Sequence, residues 1–286
     1  MRLQKSDNPS AASAVTLVLG GTGKTGRRVA DRLMEAGVRT RIGSRAASPA
    51  FDWNNADTWQ PALADVRAVY ISYAPDLAIP GTTEAIQRFV DKAAAVGVER
   101  LVLLSGRGED EAQACERIVR DSGIDWTVVR ASWFNQNFSE GAFVEMVQAG
   151  QIVLPNVDTP EPFVDADDIA DVAVAALTEP GHVGEIYEVT GPRLLTLAEV
   201  AAEISKATGR GIPYVPVPHE AFIAGVTESG APTDIVWILD YLFATVLDGR
   251  NAYVTDGVER ALGRPPRDFA DYAREMAAAG VWRAVA

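Results

Sequence analysis

The chain has a single cysteine, Cys115, two histidines, His182 and His219, and no surplus of basic residues among its 286 positions. Each scarcity excludes a class of protein. One thiol cannot close a disulfide within the chain, which fits a reducing compartment. The helical spacing of Ala112, Cys115, Ile118 and Val119 puts that thiol on a buried stripe, as a packing residue rather than a nucleophile. Neither histidine falls in an H-E-x-x-H motif or beside a cysteine pair, so no metal is expected. No window approaches the roughly 18 uninterrupted apolar residues of a membrane span. Residues 1–13 are polar and small, reading as a flexible tail, and the expectation is a cytoplasmic protein without membrane attachment. The 26 Lys and Arg face 39 Asp and Glu, a formal charge of −13. Nucleic-acid binding needs clustered cations to release counterions, and the one adjacent basic pair, Arg27–Arg28, reads as a solvated helix face. No nucleic-acid partner is expected; a monomer or homodimer acting on a small molecule is.

What the chain does have is LVLGGTGKTG, residues 17–26. Its Gly23-Lys24-Thr25 run resembles the end of a nucleoside-triphosphate loop, but the glycine that should stand five positions earlier is Val18, inside an apolar strand. Gly20, Gly23 and Gly26 instead stand at the G-x-x-G-x-x-G spacing of a dinucleotide loop, between a strand-like run and a helix-like run. One glycine permits the turn, one lets the backbone approach pyrophosphate, and one lets helix pack on strand. The helix start adds free N–H donors and partial positive charge, so Thr22, Gly23, Lys24 and Thr25 are expected at the phosphates.

The second strand bears on which dinucleotide is bound. NAD sites carry an acidic residue about 20 residues past the loop, whereas a 2′-phosphate calls for a cation. Here the chain reads Ile42-Gly43-Ser44-Arg45, with no carboxylate, which favours NADPH over NADH through Ser44 and Arg45.

Around this loop, short aliphatic runs alternate with helical patterns from residue 14 to about 155: VTLVL, RTRIGS, AVYIS, LVLLS and WTVVR are strands, with helices over 25–36 and 84–96 and around Cys115. That alternation predicts an α/β fold, a Rossmann-like doubly wound parallel sheet over 14–155. Prolines then punctuate 156–286, expected to be mainly a smaller C-terminal substrate-binding lobe with some segments returning to the Rossmann core. Helices are predicted over 165–177 and 197–208, strands at EIYEVTG and IPYVPV. The apolar stretch 219–248 would cover the crevice, with Trp237 and Tyr241 in an aromatic pocket wall suited to a flat ring.

With LVLGGTGKTG, LVLLSGRG, SGIDWTVVRASWFNQNF, PFVDADDIADVAVAAL and YEVTGP in place, nearly the whole chain resembles the NmrA-like branch of the atypical short-chain dehydrogenases, near its quinone-reductase-like proteins. The resemblance implies an NAD(P)H-binding oxidoreductase. It places Asp52 and Trp53 by the adenine, Tyr73, Ala74 and Pro75 along the cofactor, and Ser105 and Gly106 beside the nicotinamide ribose. Trp133, Phe134 and Asn137 would line the nicotinamide and substrate pocket, while Asp165 and Asp168 would tie a helix start to a loop. The Tyr-x-x-x-Lys pair that passes protons in most short-chain dehydrogenases is missing, because none of the seven tyrosines has lysine four positions on. Two functions stay open: an NADPH-dependent reductase of a quinone-like, enone, imine or carbonyl acceptor, with Ser105, Tyr73 or water giving the proton, or a non-catalytic NADP(H) redox sensor acting through a protein partner.

Overall fold

The structure, a computed structural model, describes residues 14–141 and 143–284. The tail expected at 1–13 lies outside the described residues. Val15–Leu19 (β1) is buried at every position, with Val15, Leu17 and Leu19 facing one side and Val18 the other. A strand covered on both faces needs a continuous apolar run, which is what VTLVL supplies. Alternation then follows: Lys24–Glu35 (α1), Thr40–Gly43 (β2), a helical turn Trp59–Ala62 (α2), Val66–Ile71 (β3), Thr82–Ala95 (α3), Arg100–Gly106 (β4), Asp110–Arg120 (α4) and Asp125–Ala131 (β5). Val144–Ala149 (α5), Ile152–Pro155 (β6), Ala166–Thr178 (α6) and Glu185–Val189 (β7) come next.

The large sheet runs β2-β1-β3-β4-β5-β7, with every neighbouring pair parallel. Its strand order reverses between β1 and β3, the switch point at which doubly wound folds open a crevice. One face is covered by α3 and α4 through Ile86, Phe89, Val90, Cys115 and Val119. The other is covered by α1 and α6 through Val29, Leu33, Ile169, Val172 and Ala173. Cys115 is accordingly a buried free thiol in the first of these layers.

Leu197–Thr208 (α7), Tyr214–Val217 (β8), His219–Glu228 (α8) and Thr233–Tyr241 (α9) build the lobe, with Gly257–Leu262 (α10) and Phe269–Ala278 (α11) closing the chain. β6 and β8 form a second, two-stranded parallel sheet. Residues 152–155, expected within the first domain, therefore pair with the lobe, because β7 already occupies the edge beside β5. The lobe has its own core, in which Phe138, Phe163, Phe269, Tyr272 and Trp282 are nearly or wholly buried.

Acidic residues of α6 hold the layers together. Asp165 caps the helix by accepting from the Asp167 N–H at 2.8 Å and also accepts from Gln136 Nε2, which ties the helix start to the turn after β5. Asp168 is wholly buried and accepts from the Arg267 backbone N–H at 2.7 Å, while Arg264 and Arg267 reach it with their guanidinium groups. Arg28 and Arg32 of α1 bind Asp167, and Arg32 also binds Asp171. Of the adjacent basic pair expected on a solvated face, Arg28 thus faces α6, and both Arg27 and Arg28 pair with Glu140.

Candidate functional site

A cavity of about 550 Å³ opens at the carboxyl ends of β1, β3, β4 and β5, roofed by α9. The glycine loop forms one end. Gly20 adopts φ +65° and approaches Ser72, and a Cβ on Gly26 would stand only 2.1 Å from the Gly20 carbonyl oxygen. That contact is backbone against backbone, so only glycine lets α1 start this close to β1. The Gly23 N–H closes the turn on the Gly20 carbonyl at 2.8 Å. No side chain caps α1 and no acidic residue stands in its first turn, so its electropositive start faces the cavity where Thr22, Gly23, Lys24 and Thr25 line it. Lys24 donates to Asn137 Oδ1 at 2.8 Å, spanning the mouth between the loop and the turn after β5. Burial, the largest influence, lowers the Lys24 pKa; Glu140 raises it, and Arg27 and Arg28 lower it further.

Beyond the loop, Tyr73, Ala74 and Pro75 follow β3 along the cavity, and Ser105 and Gly106 end β4 in its wall. Ser105 does not present a free proton. Its hydroxyl donates to Glu116 Oε1 at 2.7 Å, and Glu116 is also gripped by Arg130 at 2.8 Å, so the serine is turned toward this ion pair. The Tyr73 phenol, raised in pKa by burial first and Cys115 second, is a poor donor of a proton at neutral pH.

The end of the cavity away from the glycine loop is apolar. Trp133, Phe134 and Asn137 line it from the segment after β5, facing Ile235, Ile238, Leu239 and Leu242 of the lobe. Those four positions repeat at helical spacing, so one stripe of α9 and its continuation faces inward. Trp237 and Tyr241 lie on the neighbouring stripe and do not line the cavity. They stack on each other at 5.2 Å, and the Tyr241 hydroxyl donates to Glu111 Oε2 at 3.1 Å. Trp133 meets the lobe through Phe243 instead, at 5.2 Å.

Ser44, Arg45, Asp52 and Trp53 stand apart from this cavity, past the end of β2. Arg45 is exposed, and the Ser44 carbonyl accepts the Phe51 N–H at 2.9 Å, which folds the following loop back. Asp52 uses a carboxylate oxygen on the Asn54 N–H of its own turn and its carbonyl on Trp59 Nε1. Trp53 is half-buried, packs edge-on to Phe51, and reaches Tyr73 at 4.8 Å, so its ring connects this outer shelf to the cavity.

Several cavity residues carry no motif that singles them out. Arg107, next after β4, is almost wholly buried, held by the Asn251 and Tyr253 carbonyls and lying 4.5 Å over the Tyr253 ring. Glu161 accepts from the Ser132 hydroxyl at 3.3 Å with one oxygen, while its other oxygen is buried with no donor. Burial, only partly offset by Arg107, pushes its pKa up to about 7. Asp76 and Glu109 complete the polar wall. Among the described residues, no group of three or more His, Cys, Asp or Glu is arranged to hold a metal ion.

The profile of a family described as NAD(P)H-binding matches residues 20–180, from the glycine loop through β7's approach. The chain belongs to this NAD(P)H-binding family. It is 32% identical to an NAD(P)H azoreductase of Xenophilus azovorans, over 92% of this chain and 98% of that one. The NADPH-dependent quinone oxidoreductase QOR2 of Escherichia coli, solved with NADPH, superposes with a TM-score of 0.76 at 20% identity, covering 92% of this chain and 99% of that one. NmrA, a negative transcriptional regulator solved with NAD, shares the fold at a TM-score of 0.68 and 16% identity, over 94% and 97% of the two chains.

The residues present fit the dinucleotide that this NAD(P)H-binding family takes. The loop has no side chain at the position where a Cβ would strike backbone, the start of α1 is uncapped, and both face one cavity. Gly20, Thr22, Gly23, Lys24 and Thr25 line the loop end of that cavity.

Proposed function

We propose that the chain is an NAD(P)H-dependent reductase that prefers NADPH and delivers hydride to a small aromatic or conjugated acceptor, quinone-like, enone, imine or carbonyl, held beneath α9. One observation carries the reading: the glycine loop and the apolar Trp133, Ile235, Ile238 and Leu239 wall bound the same cavity of about 550 Å³. A donor on the loop and an acceptor on the wall would occupy one space. When bound, the nicotinamide supplies a hydride.

The chain's own residues bind, orient and exclude water. Lys24 and the uncapped start of α1 hold the phosphates, Tyr73 and Pro75 flank the cofactor, and Ser105 and Gly106 border the ribose. Trp133 and Phe134 supply aromatic lining for a flat acceptor, and the aliphatic α9 stripe excludes water from above it. Holding both reactants in one dry pocket is the main contribution such a site makes. Preference for NADPH is supported by the absence of a carboxylate after β2 and by the exposed Arg45 there, free to close on a 2′-phosphate. The azoreductase relative, similar over nearly its whole length, supports a conjugated acceptor.

The test is NADPH oxidation against a panel of quinones, azo compounds, enones, imines and aldehydes, with cofactor affinity measured in parallel. Oxidation that depends on an acceptor is expected. Tight cofactor binding with no acceptor reduced would reject the enzyme in favour of a redox sensor.

A further inference from the structure

Two carboxyls line the cavity. Asp76 comes from the loop after β3 and Glu109 from the loop after β4, and each acts electrostatically on the other. Two carboxylates have only acceptors, so a hydrogen bond between them would require a shared proton. Glu109 sits at the residue preceding α4, where an acidic side chain ordinarily turns to accept the helix N–H groups, yet it makes no such cap. It is folded back instead onto Gly106, where a Cβ would stand 2.2 Å from both its oxygens, and its Oε2 is buried without a protein donor. Asp76 is held in place by the Ala78 N–H, which donates to its Oδ1 at 2.9 Å.

The surrounding charges leave the proton there. Burial acts most strongly on Glu109, followed by Asp76, then Glu111 and Glu116 of α4, all of which raise its pKa. Tyr241 of α9 faces the same cluster and donates to Glu111. The cavity's two cations are engaged elsewhere: Lys24 with Asn137, and Arg107 with Glu188 and the Asn251 and Tyr253 carbonyls. Like charges brought together in a largely buried wall oppose the ionisation of both, which favours a proton held on the pair.

We propose that the Asp76–Glu109 pair is the acid of this reductase, filling the role left by the missing Tyr-x-x-x-Lys pair. The inference rests on the reductase reading above. The acceptor gains a hydride, and with it two electrons, from the reduced cofactor, which leaves oxidised. A carboxyl O–H bond of the pair breaks as an O–H, N–H or C–H bond forms on the acceptor. The pair, left with both carboxyls ionised, regains its proton from water before the next turnover. Catalysis falls as pH rises, because the competent form is the protonated one.

Infrared spectroscopy of the protein without cofactor, in H₂O and D₂O at pH 7, reads the proton directly. A protonated-carboxyl carbonyl stretch, read as the band that the wild type has and Glu109→Gln lacks and so distinct from any contribution of Glu161, is expected, because the variant's amide supplies the donor and lets Asp76 ionise. Acceptor reduction by Glu109→Gln is expected to fall about 10²-fold in kcat and to lose its alkaline limb, while NADPH affinity is kept. Asp76→Asn, also isosteric, serves as the second variant should the first fold poorly, with the same fall and the same loss of the alkaline limb expected. An active wild type without the band, or a Glu109→Gln enzyme with wild-type kcat and pH profile, overturns the acid role alone. Weakened NADPH binding with kcat intact at saturating cofactor does so too, reassigning the pair to the ribose hydroxyls. A wild type that carries the band but reduces no acceptor overturns the reductase reading and the acid role with it.

Discussion

Lys24 Nζ and Asn137 Oδ1 stand 2.8 Å apart, a bond between the first turn of α1 and the segment that lines the apolar end of the cavity. It joins the phosphate loop to the pocket wall. Lys24→Met should weaken NADPH and NADH alike by roughly tenfold, since it removes a cation common to both. In a double-mutant cycle with Asn137→Ala, thermal unfolding of the apo protein should give a coupling of about 0.5–3 kcal/mol. Additive effects would mean the bond does not bridge the two ends.

Gly26→Ala puts a methyl group 2.1 Å from the Gly20 carbonyl, with no flexible side chain able to yield. The substitution should destabilise the protein by about 1–3 kcal/mol or more and abolish cofactor binding. Gly23→Ala is the milder control, because its Cβ would meet the same oxygen at 3.2 Å. Urea unfolding and cofactor titration of the two variants decide it; equal losses would reject the packing argument.

Arg45 is exposed beyond β2 and outside the cavity. If it closes on the 2′-phosphate, Arg45→Ala weakens NADPH by roughly tenfold or more and leaves NADH nearly unchanged. An equal loss for both cofactors refutes the preference for NADPH.

Glu161 has its pKa raised from 4.5 to about 7, chiefly by burial. A raised folded-state pKa contributes stability that is fully present below about pH 4.5, where folded and unfolded chains both hold the proton. That stability is lost as pH rises through about 7, where the folded protein must ionise the group or unfold. Glu161→Gln should flatten this decline, gaining up to about 3 kcal/mol on the wild type at pH 8 and little at pH 4. Melting temperatures across that range give the slope directly.

The large sheet was legible in the sequence for a physical reason: strands buried on both faces are apolar at nearly every position, and VTLVL, AVYIS and LVLLS each carry a single small hydroxyl residue among aliphatic and aromatic ones. The glycine loop was legible because three close backbone approaches leave three glycines at fixed spacing. Pairing in the lobe was not. β6 and β8 meet across the whole α6, β7 and α7 stretch, and nothing local in Ile152–Pro155 names its partner. Helix phase was also hidden, since WILDYLF offers two adjacent apolar stripes and only packing selects Ile238 and Leu239 over Trp237 and Tyr241. Asp76, Glu109 and Glu161 read as ordinary surface acids in a chain with 39 of them; burial, which composition does not record, distinguishes them.

The chain enters the lobe after β5, returns to the large sheet for α6 and β7, and leaves again for α7 and β8. A cut after Pro155 would strip β6 of its partner and the large sheet of its edge strand and one covering helix. Recombination therefore cannot exchange this lobe as a single cassette. With the acceptor held at the proposed site, new acceptor preferences in such an architecture have to arise by substitution within α9 and the segment after β5, one side chain at a time.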